Sequence, residues 1–177
     1  PIWHEQQRRM YSRFQPVNEV QNKVAHFVRK NNICNASAMH IRRTDLDFHP
    51  HVAGSQNHSI DADFVAFVDS RPIDEHVFLM TDNPSTQLKF LRKYGSNKIL
   101  VYSLIPFAAS VSSRKNSVYR FTTLHHAIVD VLVAAHAPSF RGTFFSSMSN
   151  LVEIFSNVYD KSACRILKKK TLKKIRE

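Results

Sequence analysis

Residues 37–47 read SAMHIRRTDLD, and the interpretation of the whole chain starts from this stretch. Ser37–Ile41 has the length and apolar content that are typical of a short buried strand. Two arginines and two aspartates follow it within six residues. Because open parallel sheets bind their ligands at the carboxyl ends of the strands, the stretch predicts a functional site there.

The two adjacent arginines have different predicted roles. Successive residues of a strand point to opposite faces, so one of Arg42 and Arg43 can meet a ligand while the other pairs with an internal carboxylate such as Asp45. A planar guanidinium matches two phosphate oxygens through parallel hydrogen bonds. The alternative is a purely structural arginine–aspartate network at the edge of the sheet.

Short apolar strands alternate with amphipathic helices along the chain. Strands are predicted at 37–41, 76–80, 98–102 and 140–144, and helices at 15–30, from 59–63 onward, at 84–94, at 122–136 and at 146–157. The positions expected to face the core are Phe14, Val17, Val20, Val24, Phe27, Val28, Phe64, Phe67, Val68, Leu88, Leu91, Leu124, Ile128, Val131 and Leu132. This order predicts an α/β fold, a Rossmann-like parallel sheet with helices on both faces.

Three polar clusters directly follow predicted strands. They are residues 40–47, 81–84 and 143–149. In the last cluster, hydroxyls and N–H groups at a helix start favour an anion, although a serine there can also simply cap the helix. Asp130 lies in an apolar helix and needs a partner, which a ligand or Arg120 could supply. We therefore expect a ligand site at this edge of the sheet.

The composition limits the possible functions. The chain has 177 residues and a formal net charge of +11, much of it in residues 168–177, which favours an anionic partner. Three glycines are too few for a glycine-rich phosphate loop. No apolar run reaches the roughly 18 residues of a membrane span. We expect one lobe at 1–160, a basic tail at 161–177, and an N-terminal lobe that is missing from this sequence.

Two cysteines and two sequons bear on the compartment. Cys34 and Cys164 cannot form a CxxC metal site, and their one possible pair defines no disulfide framework. Asn35-Ala36-Ser37 and Asn57-His58-Ser59 are acceptor triplets for N-glycosylation, although such triplets often arise by chance. They favour the Golgi or another secretory lumen over the cytoplasm.

The polar clusters resemble the motifs of the fucosyltransferase superfamily, which includes core α1,6-fucosyltransferases, protein O-fucosyltransferases and bacterial nodulation fucosyltransferases. Residues 40–45, HIRRTD, are similar to the HxRRxD motif, and residues 81–84, TDNP, are similar to the second motif. Residues 120–130 resemble the third region, and residues 144–147, FFSS, the closing element. The similar elements occur in the same order over residues 11–158.

This resemblance implies the C-terminal, donor-binding lobe of a two-lobed GT-B-like glycosyltransferase. It implies an inverting transfer of fucose from GDP-fucose to a glycan or glycoprotein acceptor, with no metal or other cofactor. By position, Arg42 holds the β-phosphate, His40 contacts the nucleotide, and Asp130 takes the guanine N–H groups. The other implied donor contacts are Arg43, Thr81, Asp82, Ser146 and Ser147. Fixed arginine charge can stabilise a departing diphosphate in place of a metal ion.

The loop after the first strand departs from the core α1,6 enzymes. Those enzymes have a lysine where Leu46 stands and a glutamate near the place of Pro50. Asp47 is the candidate base for the acceptor hydroxyl, with His49 and His51 as alternatives. A reaction driven by departure of the leaving group alone would need no base.

Three other functions are compatible with the sequence. Asp45-Leu46-Asp47 matches the DxD pattern of metal-dependent glycosyltransferases, and His49 and His51 follow at a spacing that suits metal ligands. An inactive lobe could still bind a GDP-sugar. A basic domain could bind nucleic acid or another polyanion, but no strand alternates aromatic and basic residues, so nucleic acid is not the expected partner.

Overall fold

The computed structural model describes residues 2–43, 61–105 and 123–158 together with Cys164. Predictions that fall on 44–60, on 106–122 or on the rest of the tail lie outside the described residues. The helices are α1 (Ile2–Tyr11), α2 (Asn18–Lys30), α3 (Asp61–Asp69), α4 (Pro84–Tyr94), α5 (Leu124–His136) and α6 (Ser147–Val158). The strands are β1 (Ser37–Ile41), β2 (Val77–Thr81), β3 (Ile99–Leu100) and β4 (Ser139–Arg141), and a short 3-10 helix, Ile33–Asn35, precedes β1. None of these described helices is long and apolar enough to cross a membrane.

The four strands form one parallel sheet in the order β3–β2–β1–β4. β1 pairs with β2 along its whole length, from Ser37 opposite Val77 to Ile41 opposite Thr81. On its other side β1 pairs with β4, which starts with Ser139 opposite Ser37. Parallel neighbours need crossover connections, and helices usually supply them. The predicted α/β fold with a Rossmann-like parallel sheet is confirmed.

Helices cover both faces of the sheet, because successive side chains of each strand point to opposite sides. Ala38 of β1 and Phe78 of β2 belong to a core cluster with residues of α2, α5 and α6. Met39 and Ile41 belong to a second cluster with residues of α3 and α4. Burial on both sides explains why β2 reads VFLMT, a nearly continuous apolar run.

The first predicted helix is shorter than its apolar spacing indicated. α2 buries three of the predicted positions, Val20, Val24 and Val28. The prediction that Phe14 and Val17 face the core is wrong, since they lie before the helix and are 41% and 69% exposed. Pro16 disfavours helical backbone at the residue before it, so the helix begins only after this proline.

The helix α1 has no counterpart among the predicted elements. Its sequence, IWHEQQRRMY, is mostly polar, with apolar residues only at its two ends. It is held by its end, where the ring of Tyr11 packs edge-on against Phe155 of α6 with centroids 5.6 Å apart. Tertiary contact rather than local pattern therefore accounts for this helix.

Three other side chains, Leu88, Leu124 and Phe144, were wrongly expected in the core or in a strand, whereas Leu91 packs against the core as predicted. Leu124 is 77% exposed because it is the first residue of α5, and Phe144 is 49% exposed because it follows the end of β4. Leu88 and Leu91 of α4 are only half-buried, whereas Phe90 is fully buried. Apolar residues at 88, 90 and 91 fit more than one helical phase, and the bulky phenylalanine takes the core position.

The strand ends also differ from the prediction. β2 is shifted by one residue, to Val77–Thr81, and β3 contains only Ile99–Leu100. β4 ends at Arg141, before the predicted end at 144. β3 and β4 are the two outer strands, so each has a neighbour on one side only, and pairing stops early.

A disulfide bond joins Cys34, in the 3-10 helix before β1, to Cys164. Their Cα atoms are 5.4 Å apart, and both residues are buried in the core cluster under α2, α5 and α6. Cys164 lies beyond the predicted lobe boundary at 160. The disulfide bond therefore links the segment before β1 to Cys164, after α6, on the face of the sheet that α2, α5 and α6 cover.

Candidate functional site

The carboxyl ends of β2, β1 and β4 lie side by side at one edge of the sheet. Arg42 and Arg43 follow β1, Asp82 follows β2, and Thr143 follows β4. Hydrogen bonds connect all three groups, as described below. The three polar clusters recognised in the sequence are thus neighbours, and we call this set of residues the polar edge.

Beyond Ile41, two side chains take over the hydrogen bonds that the backbones of the neighbouring strands make to β1. The hydroxyl Oγ1 of Thr143 donates to the carbonyl oxygen of His40 at 2.8 Å and accepts from the amide of Arg42 at 3.0 Å. Oδ1 of Asp82 accepts from the amide of Arg43 at 2.9 Å. The backbone amide of Arg42 is therefore held by Thr143 and that of Arg43 by Asp82. Both of these side chains are buried.

Arg43 is a structural residue of the polar edge. Its guanidinium side chain is 9% exposed and donates to Oδ1 of Asp61 at 2.6 Å. It also lies 5.8 Å from the ring centre of Phe64. Its carboxylate partner within the described residues is Asp61, at the start of α3; Asp45, the partner suggested from the sequence, lies outside them. This pairing accounts for the guanidinium of Arg43 within the fold.

The carboxylate of Asp61 connects three elements. It accepts a hydrogen bond from Arg43 after β1 and another from Lys89 of α4. Partial burial acts to raise the pKa of Asp61, but the hydrogen bonds from Lys89 and Arg43 outweigh it and hold the pKa below its usual 3.8. The negative charge that fixes Arg43 is therefore present throughout the neutral range.

His40 lies beneath the polar edge, on the face that α6 covers. Its Nδ1 is 2.9 Å from Oγ of Ser149 and 3.5 Å from Oγ of Ser146. All three side chains are at most 3% exposed. The structure thus places His40 against the first turn of α6, where it fixes the helix to β1, rather than at the surface where the implied nucleotide contact would lie.

Two residues of the predicted polar cluster 143–149 had no individual role in the prediction. Ser149 lies three residues after Ser146, hence on the same side of α6, and this spacing is the signal that could have identified its role. Thr143 lies two residues after the end of β4. Both side chains form a hydrogen bond to His40 of β1.

The turn before α6 contains an uncommon backbone conformation. Phe145 has a φ of 58°, a left-handed conformation that costs a non-glycine residue roughly 1–2 kcal/mol. The exposed rings of Phe144 and Phe145 have centroids 4.2 Å apart. After this turn Ser146 is buried and Ser147 is exposed. The first N–H groups of a helix lack acceptors within it and attract anions, so the Ser147 end of α6 suits a phosphate.

The remaining predicted site residues are more dispersed. Thr81 is buried, and its hydroxyl accepts from the amide of Asn83 at 3.2 Å in the turn before α4. Asp130 lies half-buried within α5. Asp47 lies outside the described residues, as do the alternative bases and Arg120. Within the described ranges, no three His, Cys, Asp or Glu side chains gather as a metal site would require.

Two surface grooves are lined by described residues. One, of about 600 Å³, runs along α4 beside Lys89 and Arg92. The other, of about 300 Å³, is apolar and lies between α1, α5 and α6, near Phe14 and Leu124. Neither groove is lined by Arg42, Arg43, Asp82 or Thr143, the residues of the polar edge.

Comparison with known proteins assigns this chain to no family. No family model matches it, and no curated protein matches it. The motif resemblance thus stays an expectation, and a function is inferred from the residues of the polar edge.

Proposed function

We propose that this chain binds GDP-fucose and is the donor-binding lobe of an inverting, metal-independent fucosyltransferase. The observation that carries the proposal is the arginine pair at the end of β1. Arg43 is held inside the protein by Asp61. Arg42 directly precedes it, with its backbone amide fixed by Thr143, and we expect the alternation of β1 to continue past Ile41 and to direct the Arg42 side chain to the opposite side. A guanidinium carried on a fixed backbone is suited to the negative charge that develops on a departing diphosphate.

The start of α6 supports the same ligand. It is joined to the strand that carries Arg42 through His40, whose imidazole meets both Ser146 and Ser149. An exposed Ser147 and the N–H groups of the first turn can receive a second phosphate. Two anion-binding groups on adjacent elements favour a diphosphate over a single carboxylate.

The proposed reaction is a displacement at the anomeric carbon of fucose. The hydroxyl of a glycan or glycoprotein acceptor forms the new C–O bond as the bond to the β-phosphate oxygen breaks, and GDP leaves with the bonding electrons. Arg42 stabilises that charge, and Asp47 takes the acceptor proton. An N-terminal lobe is proposed to supply the acceptor contacts.

Calorimetric titration tests the donor assignment. The wild-type chain is titrated with GDP, GDP-fucose, GDP-mannose and UDP, and GDP again with Arg42→Lys and Arg29→Lys. Arg29 is exposed at the end of α2 and undergoes the same chemical change away from the polar edge. We expect Arg42→Lys to weaken GDP binding about tenfold or more, because the planar fork is lost, and Arg29→Lys to have no effect. Equal GDP binding by all three proteins would contradict the proposal.

Release of GDP from GDP-fucose distinguishes the other functions. The proposal expects the same rate with and without EDTA. Loss of activity in EDTA would instead favour a metal site at Asp45 and Asp47. Tight binding of GDP-fucose without release of GDP, also when an acceptor and an N-terminal lobe are supplied, would favour an inactive lobe. Strongly salt-dependent binding of nucleic acid without nucleotide binding would favour a polyanion-binding domain.

A further inference from the structure

The sequon Asn35-Ala36-Ser37 lies just before β1, at the opposite end of that strand from the polar edge. Asn35 is exposed, whereas Ile33, Cys34, Ala36 and Ser37 around it are all buried. The amide Nδ2 of Asn35 donates to Oδ1 of Asn32, another exposed side chain, at 3.0 Å. The acceptor side chain of this triplet is thus the one that reaches the surface.

The neighbouring disulfide indicates where the chain folds. Cys34, directly before Asn35, is bonded to Cys164, and both are buried. Disulfides form and persist in oxidising compartments and are rare in the cytosol. The oxidising lumen of the secretory pathway is also the place where asparagine sequons are glycosylated. The sequon and the disulfide are independent observations that point to the same compartment.

We propose that Asn35 carries an N-linked oligosaccharide. The amide nitrogen Nδ2 forms a bond to the anomeric carbon of an oligosaccharide carried on a polyprenyl diphosphate. The bond from that carbon to the diphosphate oxygen breaks, the polyprenyl diphosphate leaves with the electron pair, and the amide loses one proton. One N–H stays on Nδ2, so the hydrogen bond to Asn32 can persist after modification.

Because Ser37 is buried in the folded chain, glycosylation of Asn35 has to occur before this region folds. The sequon hydroxyl is needed for glycosyl transfer, but in the folded chain Ser37 is 0% exposed and donates to Glu75. Transfer must therefore precede the burial of β1. Cys34 does not close this region early, because its partner comes 130 residues later in the chain.

The position of Asn35 keeps an attached glycan away from the polar edge. From Ser37 to Arg42 the backbone advances by five residues, which in a strand is roughly 17 Å. The glycan would cover the amino-terminal edge of the sheet, while the proposed donor site lies at the carboxyl edge. The modification is thus compatible with the proposed activity and does not depend on it.

Site-specific mass spectrometry tests the proposal. The full chain is directed into the endoplasmic reticulum of a eukaryotic cell by a cleavable leader, with Asn57→Gln in every variant to remove the second sequon. Enzymatic release of N-glycans in heavy-oxygen water converts a glycosylated asparagine into a labelled aspartate. We expect label at residue 35 in the disulfide-bonded parent chain. Recovery of the parent chain with unmodified Asn35 would overturn the proposal.

Matched variants separate the sequon from the fold. Ser37→Ala removes both the sequon hydroxyl and its bond to Glu75, whereas Glu75→Gln changes only that bond and keeps the sequon. Label at residue 35 should be lost in Ser37→Ala and retained in Glu75→Gln. Label that persists in Ser37→Ala would mean that the sequon is not what directs the modification, and the proposal would fail.

Discussion

At the scale of single residues, Asp61 is the side chain on which the polar edge depends most. It is 38% exposed, but its partner Arg43 is only 9% exposed, so the pair is buried on one side only. Asp61→Asn keeps the shape and removes the charge that Arg43 needs. We expect a loss of about 1–2 kcal/mol in the free energy of unfolding, measured with urea at neutral pH. Asp69→Asn is the control, since Asp69 pairs with the exposed Lys93 at 4.0 Å and accepts from the Tyr94 hydroxyl at 2.8 Å, a bond that the asparagine oxygen can keep, so stability should change by less than about 0.5 kcal/mol.

The Arg43–Asp61 pair also predicts how the free energy of unfolding depends on pH. Because the folded pKa of Asp61 lies below its usual value of 3.8, its contribution to stability is fully present above that value. It is lost as the pH falls through the lower folded pKa, where protons bind the native carboxylate. The difference between wild type and Asp61→Asn should therefore shrink in strong acid. A difference that stays constant from neutral pH to acid would show that the charge is not its origin.

If the chain binds GDP as proposed, the resemblance predicts that Asp130 selects the base of the nucleotide. A carboxylate can accept from both guanine N–H donors, a pair that uracil does not present. Asp130→Asn replaces one acceptor oxygen by a donor and removes the charge. We expect GDP affinity to fall by roughly 10–100-fold and UDP affinity to change little, as measured by calorimetry. An equal loss for both nucleotides would assign Asp130 to the fold instead.

At the scale of elements, the contact between β4 and α6 depends on the absence of a side chain at Gly142. A Cβ there would lie 2.6 Å from Cβ of Ser149 and 2.8 Å from its Oγ. Gly142→Ala should therefore move the first turn of α6 and disturb the bond from Ser149 to His40. We expect a loss of about 1–3 kcal/mol in the free energy of unfolding, together with weaker GDP binding.

Gly95→Ala is the matched control for this prediction. Gly95 follows α4 with a φ of 78°, and a Cβ at this position would meet no atom of the described residues within 4 Å. The alanine variant therefore suffers backbone strain alone. It should lose stability by a similar amount while binding GDP normally, because Gly95 lies far along the chain from the polar edge. Reduced GDP binding in Gly95→Ala would mean that stability loss alone explains the effect of Gly142→Ala.

The elements differ in how far the sequence alone determines them. β1 was predictable because five residues buried on both faces leave a continuous local pattern. The roles of Thr143 and Ser149 were not, because each is set by a bond to His40 across 103 and 109 residues of chain. The choice of Asp61 as the partner of Arg43 likewise depends on how α3 is placed. Local pattern thus predicts strands and helices well, whereas the contacts that make a site arise only when the sheet is assembled.

At the scale of the whole molecule, the disulfide closes most of the chain into one loop. Its cysteines are 130 residues apart, and in the chain-entropy description such a loop stabilises the fold by up to about 5 kcal/mol. Reductant should lower the urea midpoint of the wild-type chain markedly. The double variant Cys34→Ser with Cys164→Ser should be insensitive to reductant. An unchanged midpoint in the reduced wild type would show that the native contacts alone determine the stability.

We expect the disulfide also to influence which neighbour β1 meets first during folding. In the reduced chain, the contact of β1 with the start of β2 spans 38 residues, from Ser37 to Glu75, and its contact beyond β4 spans 103, from His40 to Thr143. The longer loop costs about 1 kcal/mol more to close, so the β1–β2 pair should form in the transition state and α6 should dock afterwards. In the oxidised chain, Cys164 tethers the segment after α6 to the start of β1 and removes this disadvantage.

Stopped-flow folding of Val152→Ala would reveal such a change of route. Val152 is a fully buried residue of α6, and its truncation should mainly accelerate unfolding in the reduced chain. In the oxidised chain the same truncation should also slow folding, because α6 then takes part in the nucleus. One covalent bond would thus decide whether the polar edge is the last region to assemble or among the first.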